Sequence, residues 1–568
     1  MKRVKRSHLI TAVIVCLGLG VAPFLLVPYP LALLTLALAY GLFAFGLDLT
    51  WGRTGVVSIG HAAFFGIGAY GCAIAANNGL PMLLGAAAGV LLATLVAFII
   101  GMIGLGNKTL PSTMAILTLA LTLLVEQIAL SWRGVTGGSN GVFVSGSGVV
   151  IEYYRTALIV VVVVGVVWLW IIRGRWGRRF RAVQSNEKRV AHLGINLHAT
   201  KTFSFCLSAA VAAIAGATAA PVMGLVSPGV AGIILSAQVL VWLAVGGRGS
   251  IAGAFIGAGL VSIGQQYLGD AIGSWYLLVL GVVFILVVRF APGGLTGAVR
   301  SLLRRPVADS AAQGVHLDSE ELKIADPHTT GQRATRTESN ALEVQEVTKS
   351  YGATDVLRGV TMEVRNGEVM CLIGPNGAGK TTLLSMITGG QPIDSGQIRL
   401  FGDDISTHQI HARSRAGLGM VFQIPSIFPD LTPAQNLQMA SSEAAEPAPL
   451  PEVYGRFVDD HARLAIDLPL ADRRALEMAM VLVWNPKVIL LDEPAAGLSH
   501  DESMSLARRL RAVADQTGCT LVTVEHDMEI VRELAERVVV LVDGTVLIDG
   551  TMDEVSAHES VRHAYLGV

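Results

Sequence analysis

Along the first 290 residues polar positions are sparse and apolar ones come in long runs, each near the length of about 20 residues that carries a helix across a bilayer. The cores of these runs are residues 9–27, 31–49, 57–75, 82–103, 114–130, 158–172, 203–225, 233–245, 252–268 and 275–288. They predict an all-α polytopic membrane domain over 1–300, with about eight to ten spans. Some runs are short or rich in glycine, as broken or re-entrant helices lining a cavity are. The first run follows Lys2, Arg3, Lys5 and Arg6, as the apolar stretch of a signal peptide would, but no A-x-A cleavage pattern succeeds it and many spans do. A retained first helix is therefore expected. Beyond residue 300 the pattern breaks. Residues 306–340 are rich in Ala, Ser, Thr, Asp and Gln, lack aromatics and keep no apolar period, which predicts a flexible linker over 301–340. Thirty-five such residues reach about 30 to 35 Å as a coil, so the domain that follows can dock under its own membrane half or a neighbour's. In 341–568, short β-branched runs (368–373, 487–491, 520–524 and 537–541) alternate with helical stretches, an α/β pattern.

Composition agrees with that division. Of 568 residues, 52% are hydrophobic and only 15% charged, too apolar for one soluble globule. The net charge of −1 conceals a split: residues 1–300 hold 19 Lys+Arg against five acids, and the remainder holds 23 against 38. A basic, acid-poor, apolar half matches spans with cytoplasmic loops, and membrane lipid rather than nucleic acid is its expected surrounding. The loop 173–201 carries eight Lys+Arg and one acid, which puts it and the N-terminus on the cytoplasmic side. Five scattered cysteines without a C-x-x-C suggest neither a disulfide framework nor a structural zinc site.

The second half carries the chemistry. The apolar run 369–373 leads into Gly374-Pro375-Asn376-Gly377-Ala378-Gly379-Lys380-Thr381-Thr382 and then an apolar helix at 383–387, the strand, glycine-rich loop and helix of a P-loop. Glycines let successive N–H groups face the phosphates of ATP, and the helix N-terminus adds partial positive charge. Lys380 reaches the β and γ phosphates and Thr381 ligates Mg²⁺. Further on, four apolar residues end in Asp492-Glu493-Pro494. Two adjacent carboxylates at a buried strand end are costly without a cation, and Mg²⁺ is the natural one. Asp492 is assigned to the metal and Glu493 to general base on the attacking water.

With these residues in place, 341–568 resembles the ATPase subunit of ABC transporters. By that resemblance Tyr351 stacks on adenine, Gln423 senses Mg²⁺ and the membrane domain as the Q-loop glutamine, and His526 contacts the γ-phosphate. The stretches 422–431, 492–498 and Glu525-His526-Asp527-Met528, with the terminal Ala564-Tyr565-Leu566-Gly567, resemble ATPases of branched-chain amino acid importers; urea and short-amide importers share much of this wording. The first half agrees, since 54–70, 132–141 and 177–196 are similar to the matching membrane subunit. The resemblance implies a permease and an ATPase in one chain.

One stretch departs from the family. Where ABC ATPases carry a Leu-Ser-Gly-Gly-Gln-like signature, this chain has Leu468-Pro469-Leu470-Ala471-Asp472. Proline offers a phosphate neither hydroxyl nor N–H, and Asp472 adds a like charge. The site it completes should be weak. The region 424–467 is short for the family, which implies a trimmed helical subdomain. A different ATPase partner with an intact signature is therefore expected, alongside a second permease subunit and an extracytoplasmic solute-binding protein. Residues 176–197 are expected to form a short basic amphipathic helix with Phe180, Val183 and Val190 on one side, resembling a coupling helix beside the Q-loop. In the membrane half Glu126, Asp48 and His61 are the unusual polar residues, each as consistent with structure as with function.

The sequence thus predicts an importer in the cytoplasmic membrane, driven by MgATP, most consistent with branched-chain or other hydrophobic amino acids. Urea, amides or small carboxylates remain alternatives, as does a membrane-tethered ATPase that regulates without translocation.

Overall fold

The computed structural model describes residues 6–106, 111–273, 275–291, 293–303, 339–559 and 561. Most of the expected linker and the terminal motif at 564–567 lie outside them. The described residues form two compact units. One gathers those up to Gln184 and from Leu197 to 303; the other gathers Ser185–Asn196 with those from 339 onward. A twelve-residue segment from within the expected membrane domain thus belongs to the second unit.

The first unit is helical. Among the described residues five helices are long and apolar enough to cross a membrane: Pro28–Gly52, Met82–Gly104, Ser112–Ser131, Val149–Ile172 and Leu197–Met223. A sixth is made if Ile233–Gly246 and Ile251–Tyr267, bent by 120° at their junction, count as one span. This is fewer than the eight to ten expected, because an apolar run is not always a helix of spanning length. Ala62–Asn77 and Trp275–Phe290 have 16 residues each, about 24 Å against the roughly 30 Å of hydrocarbon.

Small residues set the packing. On Met82–Gly104 the buried positions are Gly85, Gly89, Ala93, Ala97, Gly101 and Gly104, a stripe of period near four that faces inward while Leu83, Leu91, Leu95 and Ile99 face out. Without a hydrophobic force between helices in lipid, close backbone approach supplies the contact. A Cβ on Gly216 would lie 1.9 Å from the Phe65 carbonyl oxygen, and one on Gly68 2.0 Å from that of Ala213. The polar oddities are held in this framework. The Asp48 carboxylate accepts the Gly249 N–H at 2.6 Å and faces Arg53 at 3.2 Å. His61 stacks on Phe43, with Nε2 3.4 Å from the Ser208 hydroxyl. Glu126, half-buried, lies against Gly232.

The second unit has two sheets. One runs in the spatial order Thr545–Gly550, Arg537–Val542, Val369–Ile373, Thr520–Val524, Val488–Asp492, Leu418–Val421, parallel except for the first strand. Its strands Val369–Ile373, Val488–Asp492 and Thr520–Val524 are buried along their whole length, which is why they read as unbroken apolar runs rather than alternating ones. The other sheet is antiparallel, in the order Thr354–Arg365, Asn340–Tyr351, Ser395–Leu400, Asp403–Asp404. Between Gln423 and Leu468 there is one helix, Pro433–Glu443, and two short 3-10 turns, Glu452–Phe457 and Ala465–Asp467.

The expected single helix at 176–197 is two. Arg175–Ser185 and Glu187–His192 are separated at Asn186, whose side chain accepts the Arg189 N–H at 3.0 Å and caps the second helix. An asparagine in extended conformation competes with continued helix by bonding the backbone two or three residues on. Phe180 and Val183 therefore belong to one helix and Val190 to the other.

Helix contact through glycine gives a direct test. Gly216→Ala should lower the melting temperature of the detergent-solubilised protein by several degrees, as overpacking costs about 1 to 3 kcal/mol. Gly259→Ala, whose Cβ meets nothing within 4 Å, should not lower it.

Candidate functional site

The parallel register brings four strand ends into one row. Leu372 pairs with Val524, Val524 with Asp492, and Leu491 with Val421. Chain leaving these strands therefore emerges at the same edge: the loop from Gly374, the pair Glu525-His526, the pair Asp492-Glu493 and Phe422-Gln423. Open α/β sheets gather ligands at this carboxyl edge.

The glycine-rich loop is tightly held. Gly377 and Gly379 have φ of 85° and 100°, open to glycine and strained for other residues. A side chain on Gly379 would also strike Leu357 at 2.5 Å, and one on Gly374 the Leu541 carbonyl at 2.1 Å. Ala378 is buried, Pro375 half-buried and Asn376 exposed. The helix Lys380–Thr388 starts directly after Gly379, with Thr381 exposed and Thr382 half-buried. The Lys380 ammonium curls back to donate to the carbonyls of Gly374 at 2.7 Å and Pro375 at 3.0 Å. Burial lowers its pKa, while Glu493 and Asp492 act to raise it.

Across the row, burial raises the Asp492 pKa and the neighbouring Glu493 charge raises it further, opposed by Lys188 and Lys380. A carboxylate so placed gains from a cation. Glu493 has φ of 45°, a left-handed conformation that costs a non-glycine residue about 1 to 3 kcal/mol and marks functional positions. It is kept there because its N–H donates to the Val524 carbonyl at 3.0 Å and its carboxylate accepts from Gln423 Nε2 at 2.7 Å. His526 is exposed two residues past the strand Thr520–Val524. Tyr351 ends the strand Asn340–Tyr351 of the other sheet, exposed, its hydroxyl donating to Gln391 and the Lys349 ammonium 5.6 Å from the ring centre. The structure thus joins Gln423 to Glu493 directly, lines up Gly374–Lys380, Asp492 and His526 along the edge, and leaves Tyr351 on the antiparallel sheet.

Among the described residues no three His, Cys, Asp or Glu side chains cluster as a protein-only metal site requires. Mg²⁺ does not need one. It takes one or two carboxylates with phosphate oxygens and water, and a hydroxyl, an amide and one carboxylate, from Thr381, Gln423 and Asp492, suit that donor set.

Three buried charged residues beside this edge received no role from the motifs. Arg474 donates to the carbonyls of Phe422, Gln423 and Ala496 at 3.3, 2.8 and 3.1 Å. Glu477, fully buried, accepts the N–H groups of Phe422 and Ser426 at 3.3 and 3.1 Å. Glu525 is also buried and accepts the Ala495 N–H at 3.1 Å. A charge within an apolar helical stretch, between Leu476 and Met478, is the signal that could have found Glu477. In the altered signature Pro469 caps the helix Leu470–Trp484 without a side-chain bond. Asp472, in its first turn, pairs with Arg456 at 2.7 Å, which offsets the like charge expected there.

Residues 29–288 match the family model described as branched-chain amino acid transport system, permease component, and 357–496 match that described as ABC transporter. An uncharacterized ABC transporter ATP-binding protein of Rhizobium meliloti is 36% identical over 228 residues, 39% of this chain and 84% of that protein. The lipopolysaccharide export system ATP-binding protein LptB of Escherichia coli is 34% identical over 235 residues, 40% of this chain and 97% of LptB. The high-affinity branched-chain amino acid transport ATP-binding protein BraF of Pseudomonas aeruginosa is 32% identical over 250 residues, again 40% and 97%.

Burial pushes Glu477 up to about 7, against Arg189, two backbone N–H groups and Arg474. The unfolded chain releases this proton near pH 4 to 5 and the folded chain holds it to about 7, so in that window the folded state binds more protons and the group's contribution to stability falls as pH rises. Melting temperatures taken at about pH 5.5 and 7.5 should therefore decline more, or rise less, in the natural protein than in Glu477→Gln.

Proposed function

From the premise that the chain belongs to the ABC transporters, with a permease of the branched-chain amino acid transport type and an ATP-binding cassette in one polypeptide, we propose that it imports branched-chain or other hydrophobic amino acids. Its apolar helices make it a multi-pass protein of the inner membrane with the cassette in the cytoplasm. The choice of solute is supported by the permease family and by the likeness to BraF. LptB, named for export, is similar over the cassette alone, so direction rests on the permease half.

The observation that carries the reading is the convergence of the Gly374–Lys380 loop, Asp492, Glu493, Gln423 and His526 at one sheet edge, in a chain that also holds a permease. N–H groups of Gly374, Pro375, Asn376, Gly377, Ala378 and Gly379 and the N-terminus of Lys380–Thr388 bind the phosphates of ATP. Lys380 exchanges its bonds to Gly374 and Pro375 for phosphate oxygens, and Thr382 adds a hydroxyl. Tyr351 stacks on the adenine. Thr381, Gln423 and Asp492 would hold Mg²⁺, which would supply positive charge beside the phosphates. Glu493 takes the proton of the attacking water and Gln423, bonded to it, sets its direction. His526 donates to the γ-phosphate.

The signature stretch shapes the assembly. Pro469 lacks the hydroxyl and N–H of the usual serine, and Ala471 replaces a glycine, so two copies of this cassette would face each other with two weakened caps. A second ATP-binding subunit with an intact signature completes the site built on Lys380. A second permease subunit and an extracytoplasmic solute-binding protein complete the importer.

Glu493→Gln in the assembled transporter should lower ATP turnover by about 10² to 10⁴ while ATP stays bound, read as retained nucleotide after gel filtration. Hydrolysis at the natural rate would remove Glu493 as the base.

A further inference from the structure

We propose that Arg189, Glu477 and Arg474 form a buried charge relay that positions Gln423 against Glu493 according to the placement of the segment Ser185–Asn196. The proposal rests on Glu493 being the hydrolytic base. All of its residues lie within the second unit.

The segment is anchored by more than one bond. Asn186 Nδ2 donates to the Ser426 hydroxyl and to the Ile427 carbonyl, both at 3.0 Å. The Lys188 ammonium lies 4.1 Å from the centre of the Phe422 ring, and His192 meets the same ring edge-on at 4.8 Å. Arg189 goes deepest, with 1% of its surface exposed. It donates to the carbonyls of Met420 at 3.0 Å and Glu477 at 3.3 Å, and lies 3.7 Å from the Glu477 carboxylate.

Each further step is a single side chain. The Glu477 carboxylate holds the N–H groups of Phe422 and Ser426, which flank Gln423. Arg474, one helical turn before Glu477, holds the carbonyls of Phe422 and Gln423 and reaches across to Ala496, three residues past Glu493. The backbone at 422–426 is therefore gripped by an acid through its N–H groups and by a base through its carbonyls. From that backbone the Gln423 side chain extends 2.7 Å to the Glu493 carboxylate.

Stability alone is a poor reason for this arrangement. Charges of 0%, 1% and 3% exposure carry desolvation costs, and well-packed apolar residues often replace such groups without loss. What apolar residues could not do is fix the register of the 422–426 backbone against the segment. Arg189 and Glu477 act through Gln423 and touch no reacting atom, so they are positioning residues.

The test is a double-mutant cycle in the full transporter, reconstituted with its partner subunits, using MgATP hydrolysis as the readout. Arg189→Met and Glu477→Gln should each lower kcat about tenfold with KM for ATP nearly unchanged, and the double variant should be no slower than the slower single one, as for residues acting as one unit. Arg189→Lys should recover part of the rate. Effects that multiply to about a hundredfold in the double variant, or that fall on KM in place of kcat, would overturn the relay. Should Arg189→Met fail to assemble, hydrogen exchange of the peptide covering 420–428 in Glu477→Gln decides: faster exchange supports the grip on Phe422 and Ser426, and unchanged protection refutes it. The Glu493→Gln variant keeps the two ideas apart, because natural turnover there defeats the base assignment whatever the cycle gives.

Discussion

Everything at the candidate site depends on the register between four parallel strands. Because Leu372, Val524 and Asp492 are paired across neighbouring strands, and Val421 pairs with Leu491 beside them, the phosphate loop, the acid pair, the histidine and the glutamine all leave the sheet at one edge. Strand spacing of about 4.8 Å then sets the scale of the site. The strands are buried throughout their length, so the register cannot slip without exposing apolar surface. The strained Glu493 conformation is tolerable for the same reason: its N–H is tied to Val524 and its carboxylate to Gln423.

A second constraint acts on the helical unit. Where lipid removes the hydrophobic drive for helices to associate, glycine and alanine stripes let backbones touch. The Met82–Gly104 stripe and the contacts at Gly68 and Gly216 make a tightly packed body. Such bodies switch between discrete arrangements more readily than they deform, which suits a permease driven by a separate machine. The segment Ser185–Asn196 leaves this body in sequence and joins the ATPase unit in structure, carrying Arg189 to the backbone beside Gln423.

Much of this was legible in the sequence. Four strands of the six-stranded sheet, Val369–Ile373, Val488–Asp492, Thr520–Val524 and Arg537–Val542, were marked by β-branched runs within a residue of their observed bounds, whereas Leu418–Val421 was not; the loop 374–382 was marked by its glycines, because local pattern and buried sheet agree there. Span number was less legible: composition marks apolar runs, whereas length and continuity, as at Ala62–Asn77, depend on turns the pattern does not mark. The break at Asn186 was missed because a helical period continued across it. Arg189 and Glu477 were invisible as a pair, since 288 positions separate them and only the fold supplies the contact. Asp472 was read as an unshielded charge for the same reason, with Arg456 outside the motif.

The central claim is that nucleotide split at this edge moves solute through the helical half of the same chain. Its most direct test is uptake of labelled leucine and isoleucine, with urea as comparison, into sealed proteoliposomes holding the complete transporter and its binding protein. Accumulation of the amino acids only when MgATP is present on the cassette side is the result expected. ATP consumption with none of these solutes crossing would contradict it.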